Sequence, residues 1–117
     1  MSKSQITING QEVGVAYCYA TEIAFTRYTG VSVDEFDTKN PEHHIYIIIA
    51  AIIAYYESQG KKAPVKDTDL MYHATPTELT TALTEIFELR KEWYDIPKGA
   101  ERKDEEPADE DGKEKNA

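Results

Sequence analysis

The chain has 117 residues, 40% of them hydrophobic, and carries 13 Lys and Arg against 22 Asp and Glu, a formal net charge of −9. That length fits one domain, and the acidic balance argues against a nucleic-acid backbone as partner, because phosphate contacts need concentrated positive charge. The single cysteine, Cys18, excludes an intramolecular disulfide and suits a reducing compartment.

The opening MSKSQITING has no apolar stretch behind its lysine. No secretory signal is expected, and the expected location is cytoplasmic. Ile6, Ile8, Val13 and Val15 then alternate around Asn9-Gly10, the dipeptide that most readily takes the two positive φ angles of a type I′ turn. The pattern predicts a β-hairpin over residues 5–16. Two strands alone are marginal in water, so the hairpin must lie on something else.

A helix is predicted over 19–29, closed by Gly30 in the left-handed conformation. Ala20, Ile23, Ala24 and Tyr28 share one of its faces, with Phe25 beside it. Ser32 and Glu35 have the spacing of a capping box and predict a further turn of helix around Phe36. Asn40-Pro41-Glu42 is a stronger start signal, with a capping side chain, proline at the first helical position and an acid at the positive helix end. With Gly60 as the stop, it predicts a helix over 41–59.

This helix contains the run HHIYIIIAAIIAYY, with six isoleucines, three alanines and three tyrosines. Its uncharged part, Ile45 to Tyr56, is twelve residues. At ~1.5 Å per residue it would reach roughly 18 Å, well short of the ~30 Å of a bilayer core. No membrane span is predicted. Ile45, Ile48, Ile49, Ile52, Ile53 and Tyr56 fill one arc, and Ala50, Ala51 and Ala54 lie opposite with Tyr46, Ile47 and Tyr55. A helix with so little polar face is expected to be buried over most of its circumference.

Asp67 or Thr68 is placed to cap a short helix over 66–73. Thr75-Pro76-Thr77-Glu78 combines a capping box with proline at the first position and opens a helix over 76–95. Its stripe is Leu79, Leu83, Ile86, Phe87, Arg90 and Trp93, and Ile96-Pro97 stops it. These elements predict a mainly α domain over 1–97 with an N-terminal β-hairpin, α+β by count. Residues 98–117 hold eight acids, five bases, no aromatic residue and no aliphatic one larger than alanine, leaving −6 on the folded part. They predict a disordered acidic tail.

Candidate chemistry is sparse. His43 and His44 are adjacent, and adjacent helical residues point ~100° apart, so they do not converge on one metal ion. Cys18 stands between tyrosines ahead of an apolar helix and reads as a packed small side chain rather than a nucleophile. No glycine-rich phosphate loop is present. The expectation is therefore a non-enzyme with no metal and no cofactor. Eight of the twelve aromatics are tyrosine, a residue favoured at protein interfaces. Tyr46, Ala50, Ala54 and Tyr55 on the alanine side of the central helix, with Trp93, form the candidate partner-binding surface. The other reading of these aromatics is that they line the edge of the core, hydroxyls in water.

The segment ITINGQEVGVAYCYATEIAFTRYTG resembles the opening of tail assembly chaperones of long-tailed phages and prophages. In these a short I-x-I-N-G-x-E hairpin runs into a helix ending in T-G. Ile6, Ile8, Asn9, Gly10 and Glu12 match the hairpin and Thr29-Gly30 the helix end; ELRKEWYDIP, Glu88 to Pro97, is similar to the close of the folded part in some members. Val13-Gly14-Val15 and Cys18 depart from the pattern. The resemblance implies a small, acidic, mostly helical protein that coats the tape measure protein before the tail tube forms around it. In some phages a frameshifted longer form recruits the tail tube protein. The alternative from a different class is a self-associating structural or adaptor protein, with the alanine side as a homo-oligomer seam.

Overall fold

Strands β1 (Ser2–Ile8) and β2 (Gln11–Tyr17) pair antiparallel, with Ile6 opposite Val13 and Ile8 opposite Gln11. This computed structural model describes residues 1–96, so the segment expected to be a disordered tail, 98–117, lies outside the described residues. Asn9 and Gly10 take φ of 52° and 75°, the two positive angles of the predicted turn. The strands run longer than the sequence pattern indicated. Ser2 pairs with Tyr17, and both are buried.

Helix α1 (Tyr19–Thr29) follows at once and ends at Gly30, whose φ of 82° is the left-handed stop. Val33–Glu35 forms only a short 3-10 turn, and the Ser32 side chain makes no capping bond, so the expected capping box is absent there. Helix α2 (Pro41–Glu57) begins where Asn40 Oδ1 accepts the Glu42 N–H at 2.9 Å. Helix α3 (Asp67–His73) is capped by the carboxylate of Asp69, which takes the Lys66 N–H at 2.8 Å, rather than by Asp67 or Thr68. Helix α4 (Pro76–Tyr94) opens with the Thr75–Glu78 box in both directions.

The hairpin lays β2 along α2 and β1 along α4, while α1 packs on another side of α2 and α3 lies beside it. Helix α2 is thus enclosed. Ile47, Ile48 and Ile52 are sealed from water, but so are Ala50 and Ala51, and Ala54 is 4% exposed. The alanine side is core. The expected partner surface on Ala50 and Ala54 is therefore corrected: a helix apolar all round was surrounded by neighbours rather than left open on its small-residue side. Small side chains there let the neighbouring backbones approach closely. Each buried isoleucine contributes a gross ~1.5–3 kcal/mol before chain entropy is set against it.

Helix α1 differs from its expected orientation too. Thr21 and Phe25 face inward, and Ile23 and Tyr28 of the expected apolar face lie substantially in solvent. No described helix is long and apolar enough to cross a membrane.

Candidate protein-binding surface

Local capping positions the walls of an apolar groove between α2, α3 and α4. Asn40 and Pro41 fix the first turn of α2, which presents Ile45 and Tyr46. Thr75 and Glu78 fix the first turn of α4, which presents Leu79 and Leu83 four residues apart on one face. Between them α3 contributes Leu70 and Met71. Leu70 is buried and anchors α3, while Met71 remains 48% exposed. A second tether holds α3 to α2: the Tyr46 hydroxyl donates to Asp67 at 2.9 Å. That bond, with lesser help from partial burial, raises the Tyr46 phenol above its ordinary pKa, because the adjacent carboxylate favours the protonated hydroxyl.

The resulting groove has a volume of about 720 Å³ and is lined mainly by aliphatic and proline side chains. Glu42 is the one acid or base with a formal charge in the lining. His44 also lines it, but its Nε2–H donates to the Thr38 carbonyl at 2.7 Å. His43, its neighbour, is buried and accepts the Asp37 N–H on Nδ1 at 2.9 Å, between Phe25 and Phe36. The two imidazoles thus bond different carbonyl and amide groups of one loop. Among the described residues no three His, Cys, Asp or Glu side chains gather closely enough to hold a metal ion.

The five residues that the sequence reading joined do not meet. Tyr46 stacks on Tyr28 at 4.7 Å and reaches the groove. The Tyr55 ring lies against Gly14 of β2, where an added Cβ would collide with it, and Tyr56 accepts the Gly14 N–H at 3.0 Å. Trp93 is half-buried among Tyr17, Tyr19 and Tyr94 at the far end of α4. Ala50 and Ala54 are covered. Of the five, Tyr46 alone belongs to the groove. Leu79 and Leu83 were visible in the sequence as part of a helix stripe, and Met71 fell within the short helix over 66–73, but nothing local showed that α3 would leave them open.

A polar cluster closes the other end of α4. Tyr17 donates to Glu22 at 2.7 Å, Tyr94 donates to the same carboxylate oxygen at 2.8 Å, and Arg90 reaches Tyr17, Glu22 and Asp34. Burial first, then the Glu22 contact, pushes the Tyr17 hydroxyl far above the usual phenol range. Each side chain of the cluster bonds at least one other member, so the arrangement suits a clasp joining β2, α1 and α4 rather than a reactive centre. Compared with protein-family models, with curated proteins and with solved structures, the chain finds no match.

Proposed function

We propose that this protein is a tail assembly chaperone that binds the tape measure protein stoichiometrically, without catalysis, and keeps it soluble in the bacterial host cytoplasm. The observation that carries the reading is the open groove between α2, α3 and α4, whose aliphatic lining suits the apolar stripe of an amphipathic helix. The sequence resemblance supports it, since the matched Asn9-Gly10 turn and Thr29-Gly30 stop occupy a real turn and a real helix end. The acidic exterior would keep a loaded complex dispersed. Whether the tail tube protein is recruited belongs to the same proposal, through a longer form.

Co-expression with the tape measure protein of the same phage or prophage tests the reading. A clear rise in soluble tape measure protein, with both chains eluting together, is the expected result. No rise and no co-elution would discard it.

A further inference from the structure

Among the described residues, four of the six large hydrophobic side chains most exposed to water lie on or beside α1. They are Tyr19 at 68%, Ile23 at 51%, Tyr28 at 45% and, from the end of α4, Tyr94 at 54%. Helix α1 stands as a ridge between two hollows. One, of about 410 Å³, lies toward the 3-10 turn and Tyr94; the other, of about 580 Å³, lies toward Ile53, Ala54 and Glu57 of α2. Ile23 and Arg27 line both.

We propose that this ridge is a homotypic docking surface, on which a second copy of the chain lies antiparallel about Ile23. A ridge flanked by hollows is complementary in shape to itself, as a two-fold interface requires. The residue order is complementary as well. Tyr19 and Arg27 stand four residues either side of Ile23, so an antiparallel mate brings each Arg27 over the other copy's Tyr19. Tyr19 is already held edge-on by Trp93 at 4.7 Å. Among the described residues Arg27 has no ion-pair partner, whereas Arg90 pairs with Glu22 and Asp34. The hollow that Tyr19 lines also presents to the incoming guanidinium the carboxylates of Glu22 and Asp34, which Arg90 engages from within the clasp. The chain's own remainder is a poor occupant. Beyond Ile96 it has no aromatic residue and, prolines aside, no aliphatic side chain larger than alanine.

Sedimentation equilibrium of the full chain across a concentration series tests this. The mass is expected to climb from 13.3 kDa toward twice that value. Ile23→Arg should hold the monomer mass throughout with an unchanged melting midpoint, and Arg27→Ala should weaken association ~5–30-fold through its two symmetry-related contacts. Met71→Asp, in the other groove, should leave the mass series unaltered. In a Cys18→Ser background, Ile23→Cys sits on the two-fold axis and should form a disulfide-linked dimer, whereas Thr26→Cys should not. A wild-type mass fixed at the monomer, an Ile23→Arg variant that associates like wild type, a mass lost on Met71→Asp, or equal cross-linking at both cysteines would overturn the proposal.

Discussion

Glu78 serves two elements with one carboxylate. It accepts the Thr75 N–H at 3.2 Å, completing the α4 cap, and the Asn9 and Gly10 N–H groups at 3.0 and 3.1 Å, tying the hairpin turn to α4. The Asn9 bond first, then those of Thr75 and Gly10, draw the carboxyl below its ordinary value of 4.5. The stability this adds is present above the unfolded-state pKa and is lost as pH falls through the lower folded-state value. Wild type should therefore melt above Glu78→Gln at neutral pH, and the gap should shrink below the ordinary carboxylate pKa; a gap independent of pH would contradict the bonding. The capping half of this role was legible from the T-P-T-E spacing. The hairpin half was not, because Asn9 and Glu78 are 69 residues apart and no local pattern links them. Gly14 carries the same lesson. Its Cβ-free backbone lets the Tyr55 ring lie on β2. Gly14→Ala should destabilise by ~1–3 kcal/mol through overpacking, and by clearly less in a Tyr55→Ala background, as a double-mutant cycle of denaturation midpoints would show.

The elements themselves were largely readable, because caps and turn residues act within a few positions. Gly30, Asn40-Pro41 and Thr75-Pro76 all sit where their chemistry indicates. The same spacing at Ser32–Glu35 yields only a 3-10 turn, and Asp34 of that turn is bound by Arg90 of α4. What spacing cannot show is which face of a helix finds cover. Helix α2 lost its expected open side because the hairpin and three helices surround it. Helix α1 kept an apolar side in water because it packs inward through Thr21 and Phe25, with the Thr21 hydroxyl donating to the Ala16 carbonyl at 2.8 Å. Ala50→Arg would force a guanidinium into a sealed site. A loss of at least ~4 kcal/mol, read as collapse of the cooperative melting transition, is expected. A folded Ala50→Arg protein would restore the alanine side as a surface.

At the scale of the molecule, the described residues leave two apolar surfaces, the groove and the α1 ridge, and they differ in kind. The groove between α2, α3 and α4 is concave and held by the Leu70 anchor and the Tyr46–Asp67 bond. The α1 ridge is convex. A concave apolar trough suits a client helix, while a ridge between hollows suits its own copy. The most direct test of the central claim is the recovery of tape measure protein co-expressed with wild type or with Met71→Asp, a substitution at an exposed groove position that leaves the core untouched. The variant is expected to melt like wild type but to lose co-elution and most of the soluble client. Full recovery of client by a folded Met71→Asp protein, alongside wild type, would contradict the placement of the client in this groove.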